Sequence, residues 1–201
     1  MKSRLGFLGM GVIVGLALTL VAWQFRDYFY TFQGSLIDPP IPAADFQLTD
    51  QHGQPFRLSE QQGNVVLIFF GYTHCPDVCP VTLSEFKQIK QGLGDRADKV
   101  RFVFITVDPD RDTVEKMGAH LEKFDPAFIG LTGDRDDLEK VWDRYGVYQA
   151  KAESGSAAGY LVDHTARIYA IDTRGNWRLT YPFGMEVEKM ARDVAYLTRE
   201  K

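Results

Sequence analysis

An α/β sheet with helices on both sides is the fold class the sequence predicts, and three features of its patterning predict it. Residues 65–70 are a continuous apolar run rich in branched and aromatic side chains, as a strand buried on both faces requires, and residues 100–107 read as a second buried strand. Between and after them apolar residues recur at helical spacing. Two stretches alternate apolar with polar residues around a short turn before the first buried strand, which marks a hairpin, and two more bracket a turn sequence near the C-terminus as a second one.

In chain order, Asp45-Phe46-Gln47-Leu48-Thr49 and Gln54-Pro55-Phe56-Arg57-Leu58 flank the turn Asp50-Gln51-His52-Gly53 as the first hairpin. The strand at 65–70 leads to a helix over 82–93, with Leu83, Phe86 and Ile89 on one face. The second buried strand precedes a helix whose stripe is Val114, Met117, Leu121 and Phe124. Residues 128–131 form a short strand, and Leu138, Val141, Trp142 and Tyr145 mark the helix after it. Residues 167–172 and 177–181 bracket Thr173-Arg174-Gly175-Asn176 as the second hairpin, and a last helix carries Val187, Met190, Ala191, Val194 and Leu197. Strands alternating with helices mean an α/β sheet. The closing antiparallel hairpin points toward a thioredoxin-like arrangement, with the first hairpin as an N-terminal extension.

The 201 residues are 45% hydrophobic and 25% charged, with two cysteines and a formal net charge of -4. Those values exclude a disordered polar chain, a disulfide-rich scaffold, a collagen-like repeat and a strongly basic nucleic-acid binder. Residues 5–23 contain no charge and one hydroxyl, Thr19. As a helix they would span roughly 28 Å, close to a bilayer's hydrocarbon thickness. A cleaved signal peptide has a shorter apolar core, about 7 to 15 residues, and a small-residue cut site. The longer core and the missing A-x-A pattern favour an uncleaved transmembrane anchor over residues 1–25. Lys2 and Arg4 favour a cytoplasmic N-terminus. The expectation is a single-pass protein of a bacterial inner membrane with its C-terminal domain in the periplasm.

Residues 26–42 end in Asp38-Pro39-Pro40-Ile41-Pro42 and read as an extended polyproline stalk, which leaves 43–201 as the globular domain. Residues 1–25 hold two of the 23 basic residues and none of the 27 acidic ones, so the remainder carries 21 against 27. Nothing in that balance attracts nucleic acid.

Both cysteines fall where such sheets build their sites, at the carboxyl end of a strand that opens into a helix. The run is Gly71-Tyr72-Thr73-His74-Cys75-Pro76-Asp77-Val78-Cys79-Pro80, with Pro80 suited to a first helical turn. Helix N–H groups and the helix dipole favour thiolate there. A disulfide closing so short a loop adds only about 2 kcal/mol, a poor staple for a domain of this size. Reversible thiol chemistry or metal capture explains the pair better in an oxidising compartment. Two thiolates select Cu(I) or Zn, and a structural zinc site would want a second cysteine pair that the chain lacks. An imidazole would complete a low-coordinate copper site. His52 sits in the first turn and reads as solvated, and His120 beside an apolar stripe as a boundary residue. His74 adjoins Cys75 and stays an alternate ligand, although neighbouring residues seldom aim at one ion. His164 follows residues 151–159 (KAESGSAAG), which read as a mobile loop able to bring it to the helix N-terminus.

The run at 71–80, then Val107-Asp108-Pro109-Asp110-Arg111-Asp112-Thr113, then Val162-Asp163-His164-Thr165, together resemble the Sco/SenC family. The resemblance runs from the anchor to the last helix, with the three motifs in order. Its members are membrane-anchored, thioredoxin-fold copper chaperones for cytochrome c oxidase. The resemblance implies copper as the metal and Cys75, Cys79 and His164 as its ligands, with the cysteine pair also a redox-active dithiol. It places Asp108 near the site, orienting ligands or meeting a partner. It implies delivery to the Cu-A site in the oxidase's copper-site subunit, with an upstream periplasmic copper donor.

Beside it stand blander readings. Asp112 with Glu115 three residues on matches a capping box, and Asp108-Pro109 matches ordinary turn chemistry. The alternative function is a thiol-disulfide oxidoreductase that reduces cysteines of a partner protein. Such enzymes usually carry C-x-x-C and a proline facing it, whereas three residues separate these cysteines and Leu161-Val162-Asp163-His164-Thr165 has no proline. A peroxidase site of T-x-x-C form is disfavoured by Tyr72 and Pro76 at the corresponding positions.

Overall fold

The sheet grows outward from two parallel strands, β4 (Val65–Gly71) and β5 (Val100–Thr106), paired from Val65 opposite Val100 to Gly71 opposite Thr106. Every residue of β4 is buried, which explains its unbroken apolar run: both of its faces are covered. The computed structural model describes Gly15, Thr19 and residues 30–156 and 159–200. The anchor read over 1–25 therefore lies outside the described residues but for Gly15 and Thr19. Among the described residues no helix is long and apolar enough to cross a membrane.

Beyond β5 lies β6 (Ile129–Thr132) in parallel, then β2 (Gln47–Asp50) and β3 (Pro55–Arg57), the expected first hairpin. On the other side β9 (Arg167–Ile171) runs antiparallel to β4, β10 (Asn176–Pro182) follows it, and β1 (Ser35–Pro42) forms the edge. The turn from β9 to β10 is fixed by Gly175 at φ 84° and by the Asp172 carboxylate, which accepts from the N–H groups of Arg174 and Asn176. Among the described residues four α-helices accompany the sheet: α1 (Val78–Leu93), α2 (Val114–Leu121), α3 (Arg135–Tyr145) and α4 (Val187–Leu197).

Alternation along the strands separates the two faces of the sheet. Phe102 meets Phe86 of α1 and Phe104 meets Phe69, whereas Phe70 on the opposite face meets Tyr145 of α3. The result is the thioredoxin-like α/β fold that the pattern of elements predicts. Helix α1 begins at Val78 rather than in the Thr82 region, so Cys79 stands inside its first turn.

Two segments differ from the sequence reading. Residues 35–42, read as part of a stalk, form strand β1, antiparallel to β10 with Ser35 opposite Thr180 and Pro42 opposite Asn176. Prolines lack an N–H and are tolerated on an edge strand, so a polyproline stalk and an edge strand leave the same signature. Just before β1, the N–H groups of Gln33 and Gly34 donate to the buried Asp193 carboxylate of α4 at 2.9 to 3.1 Å. The compact unit accordingly spans Gln33–Lys201, apart from a unit over Met1–Phe32. The second difference is the segment at 151–159. It belongs to a hairpin of β7 (Gln149–Ser156) and β8 (Gly159–His164), which pair with each other as a separate two-stranded sheet.

A chain beginning at Gln33 is expected to fold with full stability. One beginning at Ala43 loses β1 and two charge-assisted bonds, at about 1.5–3 kcal/mol each, and is expected to melt roughly 5–15 °C lower by scanning calorimetry. Equal melting temperatures would show that β1 adds nothing to the domain.

Candidate metal centre

The site begins where β4 stops. Gly71 hands the chain to a loop whose first turn is closed by the Cys75 N–H on the Tyr72 carbonyl, and α1 starts three residues after Cys75. A Cβ on Gly71 would lie 2.8 Å from Cys79 Sγ and 2.7 Å from the Phe104 ring, so only glycine lets this sulfur lie against the strand end. The Cys79 N–H, one of the helix's free N-terminal donors, points at Cys75 Sγ from 3.5 Å.

His164 arrives from the end of β8, 85 residues further along the chain, with Nε2 at 3.5 Å from Cys79 Sγ. Its Nδ1 lies 3.2 Å from the Thr165 carbonyl oxygen, which can only accept. Nδ1 therefore carries the proton and the Nε2 lone pair faces the sulfurs, the form a metal ligand requires. The rings of Phe69 and Tyr72 stand edge-on to the imidazole, each 5.9 Å away. Cys75, Cys79 and His164 offer one donor atom each, all within 4.8 Å of one another. Among the described residues they are the group of metal-ligating side chains that the fold assembles.

The two thiols are not equivalent. A hydrogen bond from Cys79, with further donation from the Asp77 and Cys79 N–H groups, lowers the Cys75 thiol to about 3 against the opposing effect of burial. Cys79 moves upward because it donates to Cys75, is buried, and faces the Cys75 charge. One proton is thus held by the pair, on Cys79.

The remaining histidines stay apart. His52 is exposed in its turn, and His74 is exposed with Nδ1 3.0 Å from Thr73 Oγ1. His120 is half-buried between the rings of Phe104 and Phe124, where burial lowers its pKa.

Asp108 and Asp112 both depart from their simplest readings. Asp112 does not cap α2: the cap is Thr113, whose side chain accepts from the Lys116 N–H. Asp112 is fully buried and accepts from Thr73 N at 3.1 Å, Thr73 Oγ1 at 2.6 Å and Thr106 Oγ1 at 2.7 Å, which ties the cysteine loop to the end of β5. Asp108 is buried too, and lies outside the donor group. Its carboxylate accepts from Arg111 Nε and, at 2.7 Å, from the Tyr160 hydroxyl. Reading the sequence missed Gly71, Phe69, Tyr72, Thr73 and Asp112 as parts of the site. For the aspartate no signal was present, since three aspartates within five residues look alike until the loop turns one of them inward.

A thioredoxin-like sheet with two thiols and an imidazole gathered at the carboxyl end of its central strand defines a class, the thiol-bearing metal or redox proteins of that fold. The family follows from comparison. The sequence model of the SCO1/SenC family matches residues 37–199, and the chain belongs to that family. A SCO2-like protein of Rickettsia felis is 39% identical over 134 residues, 66% of this chain and 65% of that relative, so the chain spans just under two thirds of its length. The structure of Bradyrhizobium japonicum ScoI with copper bound is 41% identical with a TM-score of 0.71, covering 78% of this chain and 99% of that one. BsSco, a member of the Sco family of cytochrome c oxidase assembly proteins, shares the fold at 19% identity, with a TM-score of 0.65 over 83% of this chain and 99% of that one.

In the metal-free chain, Cys75 is expected to react with iodoacetamide at a rate flat from pH 5 to 8, because it is ionised throughout. An ordinary thiol slows about a thousandfold over that range; at pH 5 Cys75 outpaces it by roughly tenfold once its weaker intrinsic nucleophilicity is counted. Site-resolved mass spectrometry reads this, and a Cys75 rate that falls tenfold per pH unit would refute it. Gly71→Ala is expected to lower stability by about 1–3 kcal/mol in urea unfolding, as an added methyl against Cys79 and Phe104 overpacks the junction.

Proposed function

We propose that this chain is a metallochaperone that takes up one copper ion on Cys75, Cys79 and His164 and delivers it to the Cu-A site of cytochrome c oxidase during assembly. The observation that carries the reading is the gathering of two sulfurs and one imidazole nitrogen within 4.8 Å. That donor set is soft enough for Cu(I), and its imidazole also suits Cu(II). The copper held by the 41% identical Bradyrhizobium japonicum protein supports the choice of metal. The oxidase as partner is supported by family membership and by BsSco's place among oxidase assembly proteins.

The geometry suits exchange as well as capture. Cys75 and His164 are partly exposed, so a partner's ligands can approach while Cys79 remains buried. The Nδ1 contact to Thr165 keeps the imidazole in one tautomer. Cys79 is the group that must give up a proton when the ion arrives, since Cys75 is already ionised. Membrane anchoring through residues 1–25, a periplasmic domain and an upstream copper donor complete the proposal, supported by the 19 uncharged residues at 5–23. A thiol-disulfide oxidoreductase is the second reading, favoured by the pairing of a thiolate on Cys75 with a thiol on Cys79. The two activities are compatible, because a reducing dithiol can prepare the target's cysteines for metal.

Copper titration is expected to saturate at one ion per chain, and weakly buffered titrations at pH 5 to 8 to release about one proton per ion rather than two. His164→Ala should weaken binding and alter the thiolate-to-copper absorption. An unchanged affinity and spectrum would remove the imidazole from the site, and insulin reduction without copper binding would put the oxidoreductase first.

A further inference from the structure

We propose that Arg111 is a positioning residue for this centre: it clamps the β7–β8 hairpin onto the loop after β5 and so sets where His164 Nε2 stands relative to the two sulfurs. The inference deepens the copper reading above and rests on it for its ligand. Strands β7 and β8 pair with each other and not with the main sheet, so side chains must hold the hairpin in place. His164 is the last residue of β8, and its position is only as well defined as that docking.

Arg111 makes the central contacts. Its Nε donates to the buried Asp108 carboxylate and its Nη1 to the Tyr160 carbonyl at 2.9 Å, while the guanidinium lies 3.7 Å over the Tyr160 ring. The Tyr160 hydroxyl closes the circuit on the other Asp108 oxygen at 2.7 Å. A planar cation with a fixed fork of donors can stack on a ring and bond two acceptors at once, which a lysine cannot. Lys151 adds an ion pair to Asp110 at 2.6 Å, but both side chains are about half exposed, so it contributes little.

The clamp reaches the ligand through the pleat of one strand. Tyr160, Val162 and His164 alternate with Leu161 and Asp163, so the three share a face of β8. The Tyr160 ring on that face stacks on Arg111 and the His164 ring meets Cys79 Sγ, while along the open edge of the strand the Tyr160 carbonyl accepts from Arg111 and the Val162 N–H donates to the Tyr72 hydroxyl at 3.2 Å. A strand whose open edge is bonded at residues 160 and 162 has the position of residue 164 determined.

The test uses the full chain with Arg111→Lys, Arg111→Ala and Tyr160→Phe. Arg111→Lys keeps the charge and loses the fork, so it is expected to weaken copper binding about 10- to 100-fold, as loss of a ligand-supporting group does. It should also shift the thiolate-to-copper band toward that of His164→Ala. Combined with His164→Ala, either Arg111 variant should add no further loss. In the metal-free chain, hydrogen exchange is expected to quicken at β7–β8 amides, Val162 among them, while β4 and β5 stay protected. Wild-type exchange and spectrum in Arg111→Lys, or losses that add to those of His164→Ala, would overturn the proposal. If Arg111→Ala fails to fold, Arg111→Lys decides in its place by the same two readouts. A wild-type chain that binds no copper would overturn the metallochaperone reading, and the exchange data alone would then decide the positioning role, unchanged β7–β8 protection counting against it.

Discussion

The buried carboxylate of Asp112 is the interaction on which the rest of the site depends. A charge with no exposed surface is costly unless fully bonded, and Asp112 is bonded by both the N–H and hydroxyl of Thr73 and by the hydroxyl of Thr106. Its own carbonyl takes the Thr132 hydroxyl of β6 at 2.9 Å. One residue thereby ties two neighbouring parallel strands to the cysteine loop. Removing it would leave buried hydroxyls unmet and the loop free of the strands that place it.

From that junction follows an unequal division between the donors. Cys79 lies in the first turn of α1 against the end of β4, among the most enclosed atoms of the domain, and Cys75 is bonded to it. The imidazole comes from a hairpin outside the main sheet, held by side-chain contacts and by the aromatic edges of Phe69 and Tyr72. Small appended sheets open at lower free energy than buried central strands. A rigid dithiol with a more separable third ligand suits a protein that must hold an ion and then release it.

Much of the fold was legible because burial leaves a direct trace. The runs that became β4 and β5, the two flanking hairpins and the stripes of the four helices all follow from apolar periodicity. The two misread segments lack that trace. Residues 35–42 are mostly exposed and rich in proline, so edge pairing left no apolar pattern to find. Residues 149–156 contain no large apolar side chain, and their strand exists because β8 lies alongside. Asp112 was misread for a related reason. Its spacing to Glu115 satisfies a local rule, but a buried network of hydroxyls captured the side chain and left the cap to Thr113.

What the sequence determined by itself was the chemistry available: two thiols with three residues between them at a strand-to-helix junction, which local geometry places near each other in any fold that forms that junction. It also named the family through the order of three motifs. What only the tertiary structure decided was how a hairpin some eighty residues away carries His164, the imidazole the resemblance implies, to the sulfurs and in which tautomer, and which aspartate supports the loop. Those are long-range choices among chemically equal residues. They are settled by packing and by the need to satisfy every buried charge, conditions that exist only once the chain has closed on itself.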